Sequence, residues 1–289
     1  MGTLLIILAA ICWGTTGTAQ AFAPAGASSL AIGSLRLIVG AFGLWMVGTL
    51  QGDLQIDRRL PWRAVLVTGV ATALYQLTFF AGVYLTGVAV GTLVTIGSSP
   101  IFAGVLGMLF QGERPSQSWY VATPLAVIGC VLLAIPGETV TTNALGIGLT
   151  LLAGLSYAVF ALFNKHVLRT HSANTAMTLS IGLGALLLLP ALAFVQVDWL
   201  WTLRGSAVIL ELGLVATALS YFLYGRGLKR VSVANATTLS LMEPLTATVL
   251  GVFVLHEQLT AFTLGGVALI ALGLIVLVRA DYSSSNSSM

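Results

Sequence analysis

The sequence predicts an all-α polytopic membrane protein with about ten transmembrane helices in two inverted five-helix repeats. Composition is the first sign: of 289 residues 57% are hydrophobic and 7% charged, with a mean hydropathy of +1.00. A soluble globular domain carries about a quarter charged residues. The second sign is that apolar runs long enough to cross a bilayer recur along the whole chain, without the short alternating segments of a β-barrel. The third is a repeat. The stretch Gly91–Arg114 returns 144 residues later with Pro100, Ala103, Gly107 and Glu113 matched by Pro244, Ala247, Gly251 and Glu257.

The apolar run Thr3–Phe22 comes first. Ala19-Gln20-Ala21 resembles a signal-peptidase site, but the run lacks a basic flank and exceeds the length of a signal core. Leu8, Ala9 and Trp13 also match Leu152, Ala153 and Tyr157 at the same offset, so it is read as a retained span. Spans follow at Leu30–Leu50, Arg63–Tyr84, Gly87–Phe110 and Ser118–Pro136, and then at Ala144–Asn164, Ala173–Val195, Gly205–Gly225, Ala234–Leu255 and Phe262–Arg279. The repeats are placed at 1–139 and 140–280, and the polar stretch 281–289 reads as a disordered tail.

Orientation follows from the loops. With the N-terminus in the cytoplasm, ten of the twelve Lys and Arg residues fall inside; Arg204 falls outside and Arg36 lies within a span. That positive-inside bias puts both termini in the cytoplasm. A five-span unit crosses an odd number of times, so its second copy is inverted. Gly40/Gly184, Ala41/Ala185, Gly69/Gly213 and Gly129/Gly273 extend the match. Inverted repeats of this kind are the plan of carriers that rock about a site at the interface of their halves.

Pro100 and Pro244 sit inside spans, where each leaves the carbonyl four residues earlier without its helical donor. Those carbonyls belong to Ile96 and Ser240, and both prolines read as hinges. Thr92, Thr95 and Ser99 share one helix face, as do Thr237, Ser240 and Glu243. Two readings fit the hydroxyls equally: glue between helices, or the lining of a polar cavity. Glu243 replaces Ser99 in the second copy. A carboxylate at that depth must face a cavity, pair with a cation or be protonated, and the last would suit proton coupling. Arg36 is the intramembrane cation, with Glu243 or Glu211 as its expected partner. Glu211 is alternatively placed to reach the outer interface or Arg204.

Aromatics gather at related places: Trp13 and Tyr157, then Tyr75, Gln76, Phe79 and Phe80 opposite Tyr221, Phe222 and Tyr224. They fit a pocket for an organic solute or simple packing. Trp62, Trp119, Trp199 and Trp201 flank span ends and read as interface anchors.

Other function classes find little. Cys12 and Cys130 lie in apolar spans and suit buried packing rather than a disulfide. His166, His171 and His256 form no metal cluster, and the sequence HEQLT has Thr260 where a zinc helix needs a second histidine. No metal, cofactor or catalytic residue is expected. No Walker loop occurs, so no ATPase partner is implied, and the formal charge of +3 lies in loops rather than on a nucleic-acid face. A membrane enzyme would have only Glu243 and Arg36 to work with; a receptor or a channel without a transport cycle is the other non-carrier reading.

With these residues in view, the chain resembles the EamA family of the drug/metabolite transporter superfamily. The resemblance rests on the GVAVGT approach to the fourth span, on Pro100…Gly107…Glu113, and on Met242-Glu243-Pro244…Gly251…Glu257. It extends from about Leu4 to Val278. It implies a carrier of the bacterial inner membrane, mostly exporting amino acids and related metabolites, with a small-molecule substrate and the lipid bilayer as partners. Efflux of cationic or aromatic drugs is the alternative within the class. It also implies a central cavity surrounded by the first, third, fourth, sixth, eighth and ninth spans, with the fifth and tenth outside. The sequence leaves the oligomeric state open.

Overall fold

The computed structural model describes residues 1–134 and 143–286, apart from the side chains at 88, 89 and 281–286. Ten of its helices are long and apolar enough to span a membrane. In order these are Gly2–Ala21, Ser29–Leu50, Trp62–Thr86, Val88–Gln111, Gln117–Ala134, Ala144–Val167, Ala173–Phe194, Leu203–Leu228, Val233–Val254 and Ala261–Asn286. They match the expected spans to within a few residues at most ends. The boundary between the repeats, the expected end of the fifth span at Pro136 and the last three residues lie outside the described residues.

Polar side chains set several helix starts by accepting otherwise unpaired first-turn amides. Ser28, Asn143, Ser172, Thr202 and Ser232 each do so. At the far end of the chain the tenth helix continues to Asn286. The stretch from Asp281 to Asn286, expected as disordered tail, therefore extends the helix past its apolar run, since backbone bonding can propagate beyond the bilayer-length segment.

The packing pattern carries the two-fold relation of the halves. The first span packs on the eighth and ninth, and the sixth packs correspondingly on the third and fourth. The third meets the seventh as the eighth meets the second. The pairs second–seventh, fifth–tenth and fourth–ninth meet across the pseudo-axis. Exchanging the halves maps every one of these contacts onto itself or onto another of the set.

Two features break the pattern. The ninth span is interrupted between Leu239 and Met242. The eighth widens into a π-helix over Glu211–Leu219, flanked by α-helix on both sides. The widening shifts the repeat by one residue. Gly69 packs against Leu183, and Gly213 against Val39, which keeps the 144 offset. A turn later Thr72 lies on Gly184 while Thr217, not Ala216, lies on Gly40. Ala216 and Tyr221 thus occupy the places of Ala71 and Gln76. π-Turns of this kind concentrate at functional sites.

Trp62 and Trp201 are exposed at span ends as expected, but Trp119 and Trp199 are buried. Trp119 lies against Gly104, and the Trp199 indole donates to the Gln196 carbonyl at 3.0 Å. The small residue in the first case, and the acceptor in the second, draw the rings into the protein.

Close backbone approach is most demanding between the fifth and tenth spans. A Cβ on Gly129 would come within 2.7 Å of the Gly266 carbonyl, and one on Gly266 equally near the Gly129 carbonyl. Small residues at such crossings let helices dock without a hydrophobic drive between them. Gly129→Val is expected to destabilise the detergent-solubilised protein by roughly 1–3 kcal/mol through overpacking. Gly148→Ala, where a Cβ meets nothing within 4 Å, should leave the melting temperature unchanged.

Candidate functional site

The two prolines are handled differently, and the site grows from that difference. In the fourth span the Ser99 hydroxyl donates at 2.9 Å to the Ile96 carbonyl, the one that Pro100 leaves without its amide. The helix therefore runs on unbroken through Pro100. In the ninth span the Ser240 carbonyl is reached at 2.9 Å by the backbone amide of Glu243. That tighter bond produces the break between Leu239 and Met242. It also leaves the Glu243 side chain uncommitted: among the described residues its carboxylate has no hydrogen-bond partner. Pro100 and Pro244 shape the two turns and stand outside the cavity lining.

A central cavity of about 1040 Å³, counted out through its mouth, lies between the halves. Trp13, Arg36, Tyr75, Gln76, Phe79, Thr92, Thr95 and Ser99 line it, together with Tyr157, Tyr221, Thr237, Ser240 and Glu243. These expected positions meet at one place, whereas Phe222, Tyr224 and Glu211, also considered from the sequence, stand outside the lining. The six expected spans all contribute, and the second adds Arg36 and Leu37. The sequence reading did not assign Thr16, Gln20, Thr72 or Ala216 to the site. Thr16 and Gln20 follow Trp13 at intervals of three and four, a helical stripe that could have revealed them. Ala216 carries no such signal, because the π-turn alone rotates it inward.

The hydroxyls serve both roles that the sequence left open. Thr95 donates to the Thr150 carbonyl at 3.0 Å and so ties the fourth span to the sixth while lining the cavity. Ser240 donates to the Ala236 carbonyl and lies 2.9 Å from the Tyr157 hydroxyl.

The charged groups are not paired as expected. His171 Nε2 lies 3.3 Å from Asp57 Oδ1, in a loop where the Arg59 amide and His171 hold the Asp57 carboxyl below its ordinary range. Arg36 instead donates through Nη2 to Gln76 Oε1 at 3.1 Å, and Gln76 donates to the Gly33 carbonyl at 3.1 Å. Arg36 Nε is buried without a partner. A neutral acceptor fixes the guanidinium without cancelling its charge, which a carboxylate would have done. Glu211 likewise fails to reach Arg204; it accepts the Thr15 hydroxyl at 2.5 Å, while Arg204 donates to the Phe22 carbonyl.

One wall is aromatic. Trp13 meets Tyr221 edge-on at 5.3 Å between ring centres, Phe160 meets Tyr221 at 5.6 Å, and Tyr75 stacks on Phe79 at 5.6 Å. Such offset and edge contacts hold large apolar surfaces rigidly. The cavity runs toward the span ends near Gln20, Phe80 and Thr92. The opposite end is packed shut by Tyr224, Leu228 and Val233, all fully buried. Among the described residues no three His, Cys, Asp or Glu side chains group as metal ligands.

Comparison with known proteins agrees with this architecture. The model of the EamA-like transporter family matches twice, over residues 1–135 and 144–279. The chain belongs to the EamA-like transporter family. EamA-like proteins are membrane transporters rather than enzymes, which implies a small-molecule substrate and a bilayer around the spans. The uncharacterized transporter YwfM of Bacillus subtilis (strain 168) is 40% identical over 278 residues, covering 96% of this chain and 94% of that protein. The threonine/homoserine exporter RhtA of Escherichia coli (strain K12) is 29% identical over 280 residues, covering 94% and 87%. A solved crystal structure superposes with a TM-score of 0.82 at 18% identity over 95% of both chains, a likeness of fold.

Two substitutions test the hydrogen bonding. Ser99→Ala should lower stability by about 1 kcal/mol, the usual net worth of one such bond. Gln76→Leu should cost more, roughly 2–3 kcal/mol, because it strips a buried guanidinium of its acceptor and the Gly33 carbonyl of its donor. Thermal unfolding in detergent measures both; equal effects would contradict the assigned role of Gln76.

Proposed function

We propose that this EamA-like transporter exports amino acids or closely related zwitterionic metabolites across a bacterial inner membrane by alternating access. The observation that carries the reading is a cavity between the repeats that holds an unpartnered carboxylate, Glu243, and a guanidinium, Arg36, fixed by a neutral glutamine. Had the two charges paired with each other, each would have silenced the other. Kept apart, they offer one site to an ammonium and one to a carboxylate. The aromatic wall gives apolar area to the rest of the solute.

Arg36 also weighs against the alternative of cationic drug efflux, since a solute with a positive charge alone would leave the guanidinium without an anionic partner. The similarity to the threonine/homoserine exporter RhtA supports the same reading. Movement by proton antiport or exchange is supported by Glu243, a group whose charge can be discharged by a proton or by a substrate ammonium. The bias of Lys and Arg supports a cytoplasmic position for both termini. The mouth of the cavity then faces outward and the packed end faces the cytoplasm.

Transport into proteoliposomes under an imposed pH gradient tests this. With labelled amino acid, an inwardly acidic lumen should drive uptake by the native protein. Glu243→Gln should reduce the gradient-driven rate on the order of tenfold, a loss of about 1.4 kcal/mol, and remove its pH dependence. Ser99→Ala should have a smaller effect and keep that dependence. An unchanged pH profile in Glu243→Gln would rule out coupling through this residue.

A further inference from the structure

The fourth and ninth spans end in the same device. Each closes on a left-handed residue, Gly112 at φ 64° and His256 at φ 57°, which stand 144 positions apart. Positive φ costs a histidine energy that glycine escapes, so the geometry is kept despite its strain. The turn sends the next amide back onto the helix: Glu113 N–H reaches the Gly107 carbonyl at 3.1 Å, and Glu257 N–H the Gly251 carbonyl at 3.0 Å. It also folds each carboxylate beside its own glycine, where a Cβ would touch Glu113 at ordinary contact distance on Gly107 and collide with Glu257 on Gly251.

The two carboxylates are engaged differently. Glu113 Oε2 accepts the amide of Val233, the first residue of the ninth span, at 3.0 Å. That bond joins the fourth span to the ninth at the packed end of the cavity. Glu257 lies at the opposite end and is exposed; among the described residues its side chain makes no such bond. The 144 offset assigns it a target: Val233 corresponds to Ala89, near the start of the fourth span.

We propose that Glu113 and Glu257 are alternating latches, Glu113 holding the cavity shut at its own end through the Val233 amide and Glu257 built to seat on the Ala89 amide when the other end closes. The proposal rests on the alternating-access reading above. It also accounts for which state is seen. The Glu113 end has two further ties, Gln111 Nε2 to the Leu162 carbonyl at 2.9 Å and Lys165 Nζ to the Leu228 and Val231 carbonyls. Their repeat positions are Leu255 and Ala21, which can make neither bond. Closure at the Glu257 end therefore lacks both of these ties, and the open mouth lies there.

Pulsed electron-paramagnetic distance measurement in reconstituted bilayers tests this, with labels at Phe22→Cys and Tyr84→Cys across the mouth and Cys12→Ala and Cys130→Ala removing the native thiols. The native latches should give a dominant long distance and a minor short one. Glu113→Gln should shift the ratio toward the short distance, and Glu257→Gln toward the long one, each by about tenfold, since the glutamine oxygen still accepts the amide but without the charge that roughly doubles the strength of such a bond. Glu113→Asp, one methylene shorter, substitutes if the glutamine variant does not fold, and should shift the ratio the same way. Shifts in the same direction, or none, would overturn the latches while leaving alternating access intact. A single distance in every protein and under every substrate and pH gradient would overturn both.

Discussion

A carbonyl without a donor cannot be left to lipid, and this constraint divides the two halves of the molecule. Proline withdraws one amide from the fourth span and one from the ninth at equivalent positions. The first half answers with a side chain: Ser99 turns its hydroxyl back on Ile96, and the helix stays whole. The second answers with the backbone, tightening between Ser240 and Glu243 and breaking the helix. Spending an amide rather than a side chain is what leaves a carboxylate free in the middle of the membrane. The polar character of the cavity depends on that local choice.

Around it the fold balances symmetry against departures from symmetry. The helix contacts exchange faithfully between halves. The π-turn in the eighth span adds one residue of rotation and brings Tyr221 to the place that Gln76 holds in the third. One half therefore presents an amide that grips Arg36, and the other presents a phenol in an aromatic wall. A strictly symmetric cavity would offer the same chemistry twice; this one offers a guanidinium, a carboxyl group and an apolar surface at different places.

Much of this was legible in the sequence, for physical reasons. Bilayer thickness fixes span length, so hydropathy located the helices, and the ungapped match of Pro100, Gly107 and Glu113 with Pro244, Gly251 and Glu257 exposed the repeat. Helical spacing then placed Thr92, Thr95, Ser99, Thr237, Ser240 and Glu243 on the faces that border the cavity. What escaped was anything decided by rotation or reach. The π-turn has no signature in residue type, so Ala216 went unnoticed. Arg36 was matched with a carboxylate by charge alone, whereas Gln76 on the neighbouring helix lies nearer. Trp119 and Trp199 looked like interface anchors because a span end in sequence does not reveal which side of the helix meets protein.

The account stands or falls on whether this cavity carries a zwitterion through a cycle. Counterflow measures that most directly: purified protein in liposomes preloaded with unlabelled solute, offered a panel of labelled amino acids and their decarboxylated or esterified analogues. The account predicts that internal solute accelerates entry of at least one intact amino acid, and that analogues lacking either charged group fail to exchange. Exchange of the amines alone, or no acceleration by any member of the panel, would contradict it.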